Sequence, residues 1–425
     1  MTQTAQLRTS LSAKRAPQLV GTAVGHALEW YDWGIYAIFV PFFATQFFPQ
    51  ADQLSAVLSS LAVFAVGFVA RPVGGFVFGR LADRIGRRTA MSATVATIAA
   101  ASFAIGVSPT YTVIGAWASV ILVAARVVQG LACGGELPSA QTYLSEIAPA
   151  GKRGFWSSLI YIASVFGNTV GVLLGVVLTL TLSSSAMHAF GWRIPFLLGG
   201  VFGLVAVYMR RKMPETEAFT RHGRERTRLW PELLRHRGEA LRVVGLSVGF
   251  TVVYYSWVVA APAYAISSLH VSSSGALWAG VASSVVLMAA MPFWGRLSDR
   301  IGRKPVLLVS ALGSAAALYP VQWLVRDDAW QLFAGMVVAA VFISAGVAIL
   351  PAVYAEMFPT GIRAVGLAVP YSIAVAAFGG TAPYLQTWIG AELGRSAYTG
   401  YVVLLLLVSG LVIARMPETR GKDLT

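Results

Sequence analysis

Charge is the scarcest feature of this chain. Of 425 residues only 12% are Asp, Glu, Lys or Arg, about half the share of a soluble domain, so most of the molecule is not built to face water. Acidic residues are scarcer still, 18 against 32 Lys and Arg. Cysteine occurs once, as Cys133, which excludes a disulfide framework and a cysteine metal cluster. No H-E-x-x-H, G-x-S-x-G or G-x-x-x-x-G-K-[ST] is present, so zinc hydrolase, serine hydrolase and P-loop chemistry are excluded. No enzyme activity, catalytic residue, cofactor or metal site is expected. Polar faces at helical period are missing from most apolar segments, which rules out a large soluble helical core.

What fills the chain instead is apolar: 56% of residues are hydrophobic. They fall in twelve runs, at 19–47, 54–79, 89–107, 112–137, 155–181, 190–209, 243–269, 275–295, 305–325, 331–351, 364–390 and 396–414. Crossing a hydrocarbon core takes about 20 such residues in a helix. The expected fold is all-α, a polytopic membrane protein of twelve transmembrane helices.

The net charge of +14 does not point to nucleic acid, because of where the cations lie. Lys14 and Arg15 precede the first run; Arg80, Arg84, Arg87 and Arg88 follow the second; Lys152 and Arg153 follow the fourth. The mid-chain loop, Arg296–Lys304, Arg363 and Arg415–Lys422 continue the series on the same alternating side. The opposite loops are short, with Arg326 and Arg395 as exceptions. This is the positive-inside pattern, so both termini are expected in the cytoplasm and the lipid bilayer is the first partner.

The chain is also internally repeated. GRLADRIGRR at Gly79–Arg88 returns as GRLSDRIGRK at Gly295–Lys304. Glu146, Pro149, Gly151 and Arg153 recur as Glu356, Pro359, Gly361 and Arg363, and MPET at Met213–Thr216 recurs at Met416–Thr419. Two pseudo-symmetric six-helix bundles are therefore expected, 1–209 and 243–425, joined by a polar linker at 210–242. A solute site belongs at midplane between such repeats.

Without a nucleotide site, uphill transport needs an ion gradient, so buried ionisable groups carry the interest. Glu29 and Asp32 lie three residues apart on one face of the first span. Glu29 is about 15 Å into that span at the helical rise, where an ionised carboxylate is costly and reversible protonation becomes possible. Arg126 in span four reaches similar depth; its guanidinium cannot give up its proton and needs an anion, either a span-one carboxylate or a substrate. An alternative is a static Arg126 ion pair that only locks two helices together. Gln129, one turn on, presents an amide to the same cavity or to a neighbouring helix. His26, one turn before Glu29, either relays protons or packs. Arg71 and Glu136 fall nearer the cytoplasmic ends of their spans, where Arg71 is expected to snorkel and Glu136 to join a gate. Gly167, Gly171 and Gly175 read as a small-residue packing stripe. Tyr254, Tyr255, Trp257 and Tyr371 are aromatic candidates for the cavity wall of the second half, or ordinary packed rings.

The pattern G-x-x-x-D-R-x-G-R-R resembles the signature of the major facilitator superfamily. GHALEWYDWGIYAIF at 25–39, RPVGGFVFGRLADRIGRR at 71–88, ARVVQGLACGGE at 125–136, YLSEIAP at 143–149 and GWRIPF at 191–196 are similar to the metabolite:proton symporters. That group includes permeases for α-ketoglutarate, shikimate, citrate and proline or glycine betaine. His26 departs from it, standing where a small polar residue such as asparagine is expected. The resemblance implies a monomeric carrier in a bacterial inner membrane that imports a small organic anion with protons by alternating access. The substrate would be an α-ketoglutarate-like dicarboxylate or a shikimate-like acid. With the reading of the buried groups above, this gives proton coupling to Glu29 and Asp32, substrate binding to Arg126, Gln129, His26, Tyr254 and Tyr371, and gating to Asp83, Arg84, Arg87, Glu136, Asp299 and Arg300. Within the gating set Asp83 is expected to outweigh Asp299. Two other functions stay open, a proton-coupled importer of a zwitterion such as proline or betaine, and a sensor that binds metabolite without moving it.

Overall fold

The computed structural model describes residues 3–49, 52–85, 87–134, 148–149, 151–211, 235–359 and 363–422, and among these the regular structure is all helix. In hydrocarbon every backbone N–H and C=O must be satisfied within its own segment, and long apolar runs achieve that only as helices. The first half contains α1 (Gln3–Phe47), α2 (Gln53–Ile85), α3 (Arg87–Val107), α4 (Trp117–Cys133), α5 (Arg153–Thr181) and α6 (Arg193–Arg211). The second half contains α7 (Arg237–Tyr254), α8 (Ser273–Ile301), α9 (Arg303–Leu324), α10 (Ala329–Met357), α11 (Arg363–Ala374) and α12 (Arg395–Arg415). Helix α7 runs through a π-helical turn, Tyr255–Val259, into Ala261–Ser268; α11 does the same through Val375–Gly379 into Ala382–Glu392.

Among the described residues eight helices are long and apolar enough to cross a membrane by themselves, and the bent pair Ser184–Gly191 with Arg193–Tyr208 makes a ninth. The other three fall short for visible reasons. His26, Glu29 and Asp32 dilute the centre of α1, α4 is described over 17 residues, and α11 with its π-helical turn stops at Gly379 before the turn at 380–381. Most of the expected linker (212–234) lies outside the described residues, as does Glu136.

The packing repeats with a shift of six helices. Contacts of α1 with α5, α2 with α4, and α3 with α6 are matched by α7 with α11, α8 with α10, and α9 with α12. Across the seam, α5 against α8 is matched by α2 against α11, and α1 meets the continuation of α7. This is the two-half, twelve-helix arrangement expected from the repeat. Large apolar side chains cover the outside, and Trp117, Trp323 and Trp330 are 69%, 68% and 62% exposed at helix ends on one face, the place of an interfacial aromatic belt. The opposite face carries the repeated basic hairpins.

Glycine sets how closely the helices approach at two points. A methyl at Gly167 of α5 would overlap the Ala27 carbonyl of α1, while Gly171 and Gly175 lie against Ile35 and Leu277; the stripe packs α5 on α1 and on α8. Near the basic face, a Cβ on Gly154 would stand 2.6 Å from the Gly295 carbonyl oxygen, so α5 and α8 touch backbone to backbone. The halves also meet near the other face, where Gly280 lies against Pro262 and Val172. Among the described residues the two halves are thus in contact near both faces.

Candidate functional site

Three helices of the first half bring the midplane charges together. Asp32 (α1) is 5% exposed and accepts a hydrogen bond from Ser102 Oγ (α3) at 2.5 Å. Ser102 Oγ accepts from Gln129 Nε2 (α4) at 2.8 Å, and Gln129 Oε1 accepts from Arg126 Nη1 at 2.8 Å. Arg126 is wholly buried, yet its Nε and Nη2 have no hydrogen-bond partner. Its guanidinium lies over the rings of Trp33 at 4.1 Å, Tyr36 at 4.3 Å and Phe64 at 5.3 Å. Those rings are fixed in turn, since Trp33 Nε1 donates to Cys133 Sγ at 2.7 Å and the Tyr36 hydroxyl to the Ser60 carbonyl at 3.0 Å. Stacking on aromatic faces holds a guanidinium in place without neutralising it. Among the described residues Arg126 forms no ion pair with Glu29 or Asp32; it reaches Asp32 through Gln129 and Ser102.

Arg71 corrects one expectation. It does not snorkel: it is 8% exposed, lies over Trp33 at 4.0 Å and Phe68 at 4.1 Å, and its Nε has no partner. Helix α2 continues to Ile85, six residues past the expected end of its span, so Arg71 sits deeper than the hydropathy pattern suggests. Two buried guanidinium groups thus share one indole.

Glu29 and His26 form a second buried pair. His26 Nε2 is 2.7 Å from Ser164 Oγ, which itself donates to the Ile160 carbonyl. That leaves Nε2 as the donor and turns Nδ1 toward Glu29 Oε2, 3.7 Å away, and neither of these two atoms has another partner. Two acceptors facing each other at this distance make a place for a proton.

Aromatic rings close the seam beside this pair. Trp30 stands edge-on to Tyr254 at 5.7 Å and stacks on Tyr255 at 6.2 Å, and Tyr161 meets Tyr254 at 6.4 Å. The Tyr254 hydroxyl is buried without a partner. Tyr371 packs on Tyr354 at 5.9 Å. Tyr254 and Tyr371 therefore belong to the seam and not to the Arg126 cluster, whereas Tyr255, on its π-helical turn, reaches Phe68 at 5.2 Å. Trp257 turns into a pocket of the second half with Tyr264, Gln322 and Gln386. Sequence reasoning missed Ser102, Ser164, Trp30 and Tyr161.

A third cluster lies at the basic face. Asp299 (α8) accepts from the backbone N–H groups of Gly154 and Phe155 at 2.8 and 3.0 Å, so a carboxylate of one half sits on the N-terminus of α5 in the other, where the helix dipole favours it. Arg303 holds Asp299 at 2.8 Å and Glu356 at 3.0 and 3.3 Å, and Thr419 Oγ1 donates to Glu356 at 2.7 Å. Glu418 accepts from the first N–H groups of α9, those of Arg303 and Lys304, at 2.9 and 3.1 Å. Burial pushes its carboxyl up, but those bonds outweigh it and hold it below the usual range. The second MPET motif is thus a cap on the repeated hairpin. Arg300 is exposed and contributes its carbonyl, an acceptor for Arg420 Nη1 at 2.5 Å. Asp83 and Arg84 lie in the last turn of α2 and Arg87 opens α3, with their side chains outside the described residues. The bridging carboxylate on view is Asp299; the greater weight expected for Asp83 falls on a side chain outside the described residues.

Two pseudo-symmetric helical halves, the first holding a buried, partly unpaired charge cluster, define a membrane carrier of the major facilitator type. The chain belongs to the sugar (and other) transporter family, whose model matches residues 19–228 and 220–425. It is 33% identical to the alpha-ketoglutarate permease of Escherichia coli K12 over 428 residues, covering 100% of this chain and 98% of that protein. It is 32% identical to a glycine betaine/proline/ectoine/pipecolic acid transporter of Dickeya dadantii over 422 residues, covering 96% and 84%. The fold matches a crystal structure of a D-xylose-proton symporter with a TM-score of 0.72 at 20% identity, over 96% of this chain and 99% of that one. These relatives are transporters and not enzymes, and the chain is a multi-pass membrane transporter.

Proposed function

We propose that the protein imports a small organic anion together with protons by alternating access, with the basic face and both termini in the cytoplasm. Arg126 carries this reading: a permanent cation, fully buried, keeps two donor nitrogens free, and the groups it touches are aromatic or neutral, with a second cation, Arg71, across the Trp33 ring. A substrate carboxylate supplies the missing acceptor, and a charge-assisted bond to guanidinium is among the stronger polar contacts available. Arg71, on the other side of the same cluster and also short of an acceptor, supports a second carboxylate and hence an α-ketoglutarate-like dicarboxylate. Asp32 and the Glu29–His26 pair take the protons. The division into bundles 1–209 and 243–425 about a linker at 210–242, acting as a monomer, belongs to the same reading. Uptake of labelled α-ketoglutarate into proteoliposomes under an imposed pH gradient tests it. Accumulation abolished by uncoupler and competed by succinate is the expected result, and competition by betaine or proline alone overturns it.

That last outcome belongs to a second reading with its own observation. Trp30, Tyr161, Tyr254 and Tyr255 form an aromatic box beside Glu29, a surface suited to an ammonium group, with Arg126 left to hold a zwitterion's carboxylate.

Orientation is tested separately. A cysteine at Ser184, on the face away from the basic hairpins, is expected to react with an impermeant thiol reagent in whole cells, and one at Thr227 only after lysis. The reverse labelling removes the cytoplasmic assignment.

Asp299 supplies a prediction about gating. Asp299→Asn removes the charge from the α5 N-terminus and from Arg303, a loss of about 1–2 kcal/mol for a partly buried helix-terminus contact. The population open at the basic face is expected to rise roughly 5- to 30-fold, read as a longer distance between spin labels at the adjoining ends of α5 and α8. An unchanged distance distribution shows that Asp299 does not hold the halves together.

A further inference from the structure

Donors and acceptors in the Arg126 cluster can be assigned without ambiguity of direction. A guanidinium only donates, so Gln129 turns Oε1 to Arg126 Nη1 and must turn Nε2 to Ser102. Ser102 Oγ accepts there and has its single O–H left for Asp32. The direction of each link is thereby fixed, and it fits an ionised Asp32. Oriented this way, every bond runs from Arg126 toward Asp32.

We propose that Ser102 and Gln129 are the coupling residues of this transporter, and that protonation of Asp32 reverses their hydrogen bonds and releases Arg126 for the substrate anion. A proton placed on Asp32 Oδ1, the oxygen that Ser102 holds, makes that oxygen a donor to Ser102 Oγ. Ser102 must then give its O–H to the neighbour it formerly accepted from, which requires the Gln129 amide to turn over and present Oε1 to it. Nε2 now faces Arg126 Nη1, donor against donor. Arg126, already without partners at Nε and Nη2, loses its remaining acceptor, and a carboxylate becomes the group that restores it. The balance is complete: one proton arrives at Asp32, no covalent bond changes, and the anion enters as the amide leaves. Read backwards, an anion leaving Arg126 draws Gln129 Oε1 back and expels the proton.

The surroundings leave Asp32 few other partners. Glu29 and Tyr31 face it from its own helix and Arg126 from α4, while α3 presents Ser102 and α6 packs the backbone of Gly199 against Oδ1. Ser102 is 0% exposed and Gln129 1% exposed, so water does not replace a missing link. Neither residue can touch Asp32 and Arg126 at once; each acts through the other, as a positioning residue.

This inference rests on the proposed anion site, and its test has one arm that needs no substrate. In infrared difference spectra of purified protein between low and high pH, a carboxylic band absent from Asp32→Asn is expected to appear together with an amide band absent from Gln129→Leu. In Ser102→Ala the carboxylic band is expected to remain and the amide band to vanish, with Ser102→Thr restoring it. If the amide band is missing in the wild type, or persists in Ser102→Ala, the coupling route is overturned whatever the substrate. The second arm uses labelled α-ketoglutarate. Wild-type affinity is expected to change about 10-fold across the titration, the size of an ordinary coupling between sites, and less than about 2-fold in Ser102→Ala. Equal pH dependence in both overturns the coupling, whereas no saturable uptake by the wild type overturns the anion reading and leaves the infrared result to decide the coupling.

Discussion

Arg126→Gln is expected to lower kcat/KM for carboxylate uptake roughly 150- to 5,000-fold, the rate equivalent of about 3–5 kcal/mol for removing one partner of a buried charged contact. The substitution leaves Gln129 in place and keeps an amide where the guanidinium was, so the cluster loses its cation with little loss of volume. Arg126→Lys separates charge from geometry. A lysine keeps the positive charge but lacks the planar fork that stacks on Trp33 and Tyr36 while bonding sideways, and an intermediate loss of about 10-fold is expected. Protein levels in the membrane control for misfolding, because an unstacked Trp33 also disturbs Cys133 and Arg71. Full affinity in Arg126→Lys removes the bidentate contact, and normal transport by Arg126→Gln removes the anion site altogether.

Much of the architecture was legible because membrane helices are constrained by their solvent. Twelve runs, alternating cations and a repeated hairpin left little freedom, and the contacts of α1–α6 reappear in α7–α12. Asp32, Arg126 and Gln129 were legible as a cluster because charged and amide groups stand out against apolar helices. Ser102 was not: one hydroxyl among the small residues of α3 carries no signal until α1 and α4 pack on either side of it. Arg71 was misplaced because hydropathy ends a span where charges begin, whereas α2 continues as helix to Ile85. Fourteen residues of helix put Arg71 about 21 Å from that end. Tyr254 and Tyr255 both meet Trp30, and Tyr255 alone also reaches Phe68; a π-helical turn starts between them, and such turns gather at functional sites without an obvious sequence mark.

Both charge clusters change meaning if the carrier opens. The Asp299 bridge ties α8 to the first turn of α5, and the same two helices meet again at Gly175 and Leu277 near the other face. A rigid tilt of one half therefore has to break one end while keeping the other, and the aromatic contacts of Trp30 with Tyr254 and Tyr255 lie between the two. Glu29 and His26 flank this pivot. The Arg126 cluster lies within the first half and keeps its own geometry through such a tilt.

Asp32→Asn is accordingly expected to abolish accumulation against a gradient while slower exchange of substrate across the membrane remains measurable. Asparagine has the same shape, still offers an oxygen to the Ser102 hydroxyl, and cannot gain or lose a proton in this range. It fixes the site in one protonation state, so the step that ties anion release to proton release is gone, and a carrier without that step equilibrates its substrate instead of concentrating it. The ratio of internal to external substrate under an imposed pH gradient should fall to about 1, the value for an uncoupled carrier. Glu29→Gln, which disturbs the His26 pair and leaves the Ser102 chain intact, is expected to keep part of the accumulation. The measurement is uphill uptake and counterflow on the same proteoliposomes at matched protein density. Concentrative uptake surviving in Asp32→Asn would make this carboxylate structural, and with it the chain that joins it to Arg126.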